Sequence, residues 1–415
     1  MRVPFSPLPI FGAFLLFIVL SAPARATLDL FPGESWNPGT DGVLAPSANY
    51  TVDLSLAPTG NWNSVPPTSG YGVYDPEKRA VVFKYQSVYI PTGVTVTFKN
   101  HVSRASVVWL VDGNVDIRGT LSVNGSAFEN QTGKYSQPGP GGFRGGAGQL
   151  QTLGTSMGLG PGGGGDSGNR YGVYSGNTTN PDASSYGNEQ VIPLLGGSGG
   201  GSSVGYGGGS GGGAILIAST ESVSLTGTIK ANGGASYSDN QLAGSGGAVR
   251  IITDSYSGTG YVYSNCSDYF TSDQRNGRIR IENKTGTFTG TCSPVASRSL
   301  PGTPPLIWLP ATYPSVKVTS IGGVNTPASP MSREDFPNTD VNLTGSAGLV
   351  TVLAEAKNMP APVGWAVRLR IVPRSGGDSS TAMTYVSGNA TSSIWKADVA
   401  LPDGLVFLQV RASKQ

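Results

Sequence analysis

The chain has 415 residues, with 27 Lys and Arg against 25 Asp and Glu, a formal net charge of +2 and only 13% charged residues. Scattered charge at that density offers no electrostatic footprint for nucleic acid or for an anionic membrane. Glycine, at 62 residues, is about twice its usual share, but 38% hydrophobic content is enough to fill a core and excludes a wholly disordered chain.

In chain order, the first expected element is a targeting segment. Arg2, the apolar run Ile10 to Leu20 and Ala24-Arg25-Ala26 form the pattern of a cleavable secretory signal, residues 1–26, too short to span a bilayer comfortably. The mature chain is expected to begin at Thr27 and to contain no transmembrane segment, which predicts a secreted or cell-envelope protein. Residues 27–80 are rich in Pro, Gly, Asn and Trp with short strand-like patches such as Tyr50 to Leu56, and read as an N-terminal capping region.

From Ala80 the pattern changes to β-type alternation, in Val81 to Phe83, Val88 to Ile90 and Val94 to Phe98, followed by the wholly apolar run Val107 to Val111. An internal repeat follows. Val115-Asp-Ile-Arg-Gly-Thr-Leu-Ser-Val-Asn-Gly125 aligns without gaps on Val223-Ser-Leu-Thr-Gly-Thr-Ile-Lys-Ala-Asn-Gly233, and a weaker copy starts at Gly258. Short strands joined by glycine corners predict a parallel β-solenoid body over 81–292, in which each unit buries its inward face only against a stacked neighbour. An ordinary sandwich with Asn-Gly hairpin turns is the alternative.

Residues 138–213 form a low-complexity insert that includes Pro138 to Gly146, Gly158 to Gly165 and Gly196 to Gly201. Phe143, Leu159, Tyr171, Tyr174, Tyr186 and Ile192 to Leu195 punctuate it and argue for glycine-rich loops packed on the body. Glycine permits close backbone approach there, as in collagen. The runs Gly211-Gly-Gly-Ala-Ile-Leu-Ile-Ala218 and Gly244-Ser-Gly-Gly-Ala-Val-Arg-Ile-Ile252 lead into buried strands; neither carries the Lys-Ser/Thr and helix that a phosphate loop requires, so no cofactor is expected.

Ile90 to His101, Val107 to Val111, Pro138 to Gly146, Pro193 to Gly201 and Gly244 to Ile252 together resemble a group of glycine-rich exported bacterial proteins with no established activity. The resemblance covers most of residues 70–285, and Val316 to Gly323 fits the same group. It implies a bacterial envelope or extracellular setting.

The two cysteines, Cys266 and Cys292, are expected to form a disulfide, the default for a pair in an exported protein, with two free thiols as the alternative. Residues 293–305 read as a Pro/Ser linker. Residues 306–415 show strand-like runs at sandwich-like intervals and predict an Ig-like or fibronectin-like β-sandwich. The fold class is therefore all-β throughout.

No catalytic, cofactor or metal constellation is recognised. His101, the one histidine, ends a β run and reads as a hydrogen-bonded structural residue. Asp112 and Asp116 are the nearest carboxylate pair of the first units, with Gly113 expected to bend the strand between them; solvated turn and strand positions are their ordinary reading. Asp166 belongs to no repeated acidic pattern of the kind a calcium site needs. Tyr171, Tyr174, Tyr186 and Tyr206 could stack on sugar rings, although packing inside the domain is the ordinary role for at least half of them. The functional expectation is a cell-surface structural or adhesive protein with a polysaccharide or surface partner and a tendency to self-associate at open ends. The alternative is a polysaccharide-processing lyase or glycoside hydrolase.

Overall fold

The computed structural model describes residues 27–128, 135–147, 156–165, 186–203, 206–235, 242–266, 275–327, 340–344, 348–359, 364–373 and 377–414. The expected signal segment, Asp166, Tyr171 and Tyr174 lie outside the described residues. Those described are all-β, with one short 3-10 turn at Leu54–Leu56. Among them no helix is long and apolar enough to cross a membrane.

Residues 43–299 repeat a unit with three strand positions. The strands are β1 (Val43–Leu44), β2 (Tyr50–Asp53), β3 (Val73–Asp75), β4 (Ala80–Tyr85), β5 (Ser87–Ile90) and β6 (Thr95–Lys99), then β7 (Ser106–Val111), β8 (Val115–Ile117) and β9 (Thr120–Ser122). After the glycine-rich insert come β10 (Ala214–Ser219), β11 (Ser222–Leu225), β12 (Thr228–Lys230), β13 (Ala248–Ser257), β14 (Tyr261–Tyr263), β15 (Arg278–Thr285), β16 (Thr291–Ser293) and β17 (Ser297–Ser299). Strands of successive units pair in parallel. The first and second positions share one 11-stranded sheet, in which β13 is long enough to pair with both β10 and β11, and the third position forms a six-stranded sheet in the order β16-β14-β12-β9-β6-β2. Only β3, at one edge, runs antiparallel to its neighbour.

The aligned sequence repeat is the structural register: Val223 pairs with Val115, Leu225 with Ile117 and Ile229 with Leu121. Inward residues of all three positions, including Val107, Trp109, Val115, Leu121, Ile215, Ile217, Val223, Ile229 and Ile251, make one continuous core. The runs Val107 to Val111 and Ala214 to Ala218 are apolar throughout because their outward side chains are covered too. Val108, Leu110, Leu216 and Ala218 pack under Leu28, Leu30, Phe31, Trp36, Trp62 and Ile307. A strand buried on both faces loses the alternation a half-exposed strand shows. The region expected as a cap thus does two things: β1 and β2 pair onto the first edge, and residues 28–36 lie across the outer face, with Leu28 N–H donating to Thr220 O at 2.7 Å.

Two ladders explain the repeat's polar residues. At the corner before the third strand, a Cβ on Gly227 would stand 2.0 Å from Gly119 O, and one on Gly290 would stand 2.0 Å from Gly260 O. Those carbonyls accept Thr228 N–H and Thr291 N–H at 2.9 and 3.0 Å, so each corner glycine makes room for the unit beside it. After the third strand, Asn124 Oδ1 accepts Asn232 N–H and Asn232 Oδ1 accepts Asn265 N–H, both at 2.8 Å, and Ser293 Oγ donates to Asn265 Oδ1 at 2.8 Å. The Asn-Gly pairs are therefore stacking positions in a parallel array, not hairpin turns.

The described part of the glycine-rich insert is an array of extended segments. Along 196–202, Gly197 N–H and Gly200 N–H reach Gly212 O and Gly209 O of one neighbour, while Gly199 N–H and Ser202 N–H reach Leu159 O and Ser156 O of another, at 2.7–2.9 Å. Donors three residues apart thus share a neighbour. That is the three-residue period of a polyproline II-type chain, which has no internal hydrogen bonds and must find partners outside itself. Glycine is obligatory where such chains touch: a Cβ on Gly211 would lie 1.8 Å from Gly197 O, and one on Gly199 would lie 1.8 Å from Arg144 O.

The C-terminal strands are β18 (Ser315–Ile321), β19 (Val324–Asn325), β20 (Leu349–Lys357), β21 (Trp365–Pro373), β22 (Ser379–Ala382), β23 (Thr384–Gly388), β24 (Ser392–Ala400) and β25 (Val406–Lys414). They form two antiparallel sheets, β19-β18-β20-β24-β23 and β22-β21-β25, with a shared core of Val352, Ala354, Val367, Leu369, Trp395 and Val399. The glycine array packs against this region. Met157 and Leu159 bury against Val372, with Phe143 and Phe407 alongside. Arg411 Nη2 donates to Pro161 O at 2.9 Å and Arg370 Nη1 to Gly160 O at 3.3 Å.

Candidate functional site

The six-stranded sheet turns an open face outward. Its inward residues Val96, Leu121, Ile229 and Val262 belong to the core, so period-two alternation sends their neighbours out. One outward column reads Thr95, Thr120, Thr228, Tyr261, Thr291, and the next carries Ser122, Lys230, Tyr263, Ser293. Thr97 lies beside Ser122 on β6, with its Oγ1 2.9 Å from Thr51 Oγ1. In-register parallel pairing spaces these groups at about 4.8 Å across strands and about 6.7 Å along them. Tyr261 and Tyr263 stand with near-parallel rings, centroids 5.7 Å apart, and Tyr261 is 45% exposed. The face is thus a regular lattice of hydroxyls with a pair of aromatic rings and the side chain of Lys230.

Asp112 and Asp116, the nearest carboxylates of the first units, have different neighbours. Asp116 is tied to Arg118, which donates from Nε at 2.9 Å and Nη2 at 2.8 Å. At Asp112, burial and then the charge of Glu221 from the next unit raise the carboxyl above the ordinary value. Glu221 went unread although the repeat alignment, extended two residues upstream, sets it opposite Gly113. Asp254 follows in the next unit and is engaged by Lys284 Nζ at 3.2 Å.

His101 is buried in a tight turn. Its Nδ1 accepts Ser103 N–H at 3.1 Å, Ser103 Oγ lies 2.7 Å from the same nitrogen, and the ring stacks on Tyr74 at 4.2 Å. Burial lowers its pKa, so the neutral ring is favoured. Both polar partners come from one residue two positions on, which is a turn-stabilising arrangement. Tyr186 is likewise structural: its hydroxyl donates to Gly196 O at 2.8 Å and accepts from Ser198 Oγ at 3.0 Å, inside the glycine array. Tyr206 exchanges backbone hydrogen bonds with Ser203 at 3.0 and 2.8 Å.

No disulfide joins Cys266 and Cys292 in the structure, where Cys266 is buried and Cys292 half-buried. The parallel register is the reason. Cys292 stands opposite Val262, four residues before Cys266, an offset of about 13 Å along an extended chain where a disulfide requires Cα atoms about 5.5 Å apart. Burial raises the Cys292 thiol pKa despite the opposing effect of Arg298. Among the described residues, no group of three or more His, Cys, Asp or Glu side chains is placed to hold a metal ion.

No protein-family model matches the chain, and no curated protein or solved structure matches it either.

Proposed function

We propose that the chain is an exported surface protein, structural and adhesive in role, that binds glycan through the outward face of the six-stranded sheet. The parallel units read as turns of a β-solenoid over 81–292 with the glycine array as an ordered insertion, and the C-terminal strands from residue 306 onward as an Ig/fibronectin-like sandwich that serves as spacer or dock. Signal pattern, envelope setting and bacterial resemblance belong to the same reading. The observation that carries it is the double column on β6, β9, β12, β14 and β16, hydroxyl and tyrosyl side chains in register with the single cation Lys230 among them and no carboxylate on those strands. Hydroxyls that both donate and accept, beside exposed aromatic rings, suit a polyhydroxylated polymer. Purified residues 27–415 are expected to be retained on an insoluble polysaccharide from a panel, with retention weakened in Tyr261→Ala/Tyr263→Ala. Failure to bind any member of the panel overturns the reading.

A second reading has its own observation, the Asp112 carboxyl held protonated to higher pH beside Glu221. A raised acid within electrostatic reach of a second carboxylate is one requirement of glycoside hydrolysis. Release of reducing or unsaturated ends from a soluble polysaccharide, abolished by Asp112→Asn, favours it over adhesion; no release in any member of the panel removes it.

A further inference from the structure

The asparagine ladder stops one unit short. Asn124 N–H, its first rung, has no side-chain acceptor in the preceding unit and makes only a 3.4 Å contact to Ser122 Oγ. Continuing the β6–β9 register puts Lys99 at the preceding position, a side chain with no acceptor, and its ammonium is held by Asp53 at 2.7 Å. The neighbouring Asn100 turns away, donating from Nδ2 to Pro138 O at 2.8 Å and leaving its buried Oδ1 without a partner. Where the ladder breaks, a cleft of about 390 Å³ opens between the ends of β6 and β9 and the start of the glycine-rich insert.

The chemistry of the lining is narrow. Thr97, Ser122 and Ser126 supply hydroxyls, Asn124 and Gln137 supply amides, and Phe98 supplies an aromatic surface. No carboxylate lines the cleft, and its one cation is already matched by Asp53. A metal ion finds no hard anionic ligand there and an anion no unmatched positive charge, while an apolar ligand would strand the amides. A neutral ligand with many hydroxyls satisfies amides and hydroxyls together, and the volume lies in the range of small-molecule sites, about 300–1,000 Å³. Thr97 and Ser122 also belong to the outward face, so a glycan chain lying on that face runs into the cleft.

We propose that this cleft is a subsite for a neutral sugar residue, the position that gives the flat face its selectivity; the proposal rests on the glycan-binding reading of that face. Two variants test it: Gln137→Ala, which trims an exposed side chain, and Ser122→Trp, which fills the space. Each is checked for an unchanged melting curve, and Gln137→Ala alone carries the test if Ser122→Trp does not fold. Titration calorimetry of residues 27–415 with a neutral gluco- or manno-oligosaccharide and with a uronic acid oligomer of equal length is run beside adsorption to the insoluble polymer. Expected are binding of the neutral oligomer, weakened about tenfold or more by the variants, weaker binding of the uronate, and, for Gln137→Ala, which lies off the outward columns, unaltered adsorption to the solid polymer. Adsorption of the parent with no effect of Gln137→Ala on oligosaccharide binding overturns the subsite and leaves the face intact. Preference for the uronate also overturns the subsite, whereas loss of all adsorption by the parent overturns the reading of the face itself.

Discussion

Asn232 Oδ1 accepts the backbone N–H of Asn265 at 2.8 Å, so a side chain of one unit completes the backbone of the next. Asn232 is 2% exposed and its own N–H is taken by Asn124 in the same way. Asn232→Ala strands the Asn265 N–H out of water and is expected to cost about 1–3 kcal/mol, the desolvation of an unsatisfied donor. Urea unfolding of parent and variant measures it; a loss below about 0.5 kcal/mol means the ladder is not coupled to stability.

Gly211→Ala places a methyl group against Gly197 O in the middle of the glycine array. Backbone cannot rotate aside as a side chain can, so a loss above about 3 kcal/mol is expected, or failure to fold. Gly93→Ala is the comparison. Its site is open and its φ is +82°, so only the left-handed backbone penalty of about 1–2 kcal/mol applies. Equal melting temperatures for the two variants would contradict the packing of the array.

On the outer side of β13, Arg250 donates from Nε and Nη2 to Glu282 Oε1 at 3.0 and 2.8 Å, both side chains being almost fully buried. Glu282→Gln removes the matching charge and is expected to cost about 3–5 kcal/mol. Arg250→Met/Glu282→Leu removes both charges together and is expected to cost less, although Arg280, whose Nε lies 3.4 Å from the same Glu282 oxygen, loses that partner. A double variant as unstable as the single one would show that the pair contributes more than charge balance.

His101 is the only histidine, so its imidazole resonances need no assignment by mutation. Burial depresses its pKa below the ordinary 6.5, so protonation favours the unfolded chain. Its stabilising contribution is complete above pH 6.5 and is lost as pH falls from there through the folded value, below which the effect levels off. An NMR titration midpoint at or above 6.5 would refute the environment described.

Thiol titration separates the two cysteine states. In the native protein slow reaction of both thiols is expected, since one is buried and the other has a raised pKa; denaturant exposes two fast ones. Finding none after unfolding would restore the disulfide.

Much of the body was legible because stacking repeats the same demand at fixed register. The gap between Val115 and Val223 in the text is the 108-residue offset of Asn124 and Asn232 in space. What stayed hidden depends on neighbours that sequence distance conceals. In the sequence Asp112 is weighed only against Asp116, four residues on, whereas parallel stacking adds the charge of Glu221 from beyond the insert. Asn-Gly is ambiguous by itself, since it makes a good hairpin turn and also a good ladder rung; only parallel pairing decides. The cover formed by Leu28, Leu30 and Trp36 leaves no periodic trace, because irregular chain on a flat apolar face needs no period.

The glycine array also bears on how the molecule responds to temperature. Its segments meet through peptide groups and bury little apolar area, whereas the columns inside the stacked strands are almost wholly hydrocarbon. Exposure of apolar surface raises heat capacity, and exposure of peptide groups lowers it. The array and the strand columns therefore contribute with opposite sign, which predicts a smaller heat-capacity change per residue than in an ordinary domain. Its stability curve is expected to be correspondingly broad and shallow, with the hydrogen-bonded array holding on cooling where the apolar columns weaken.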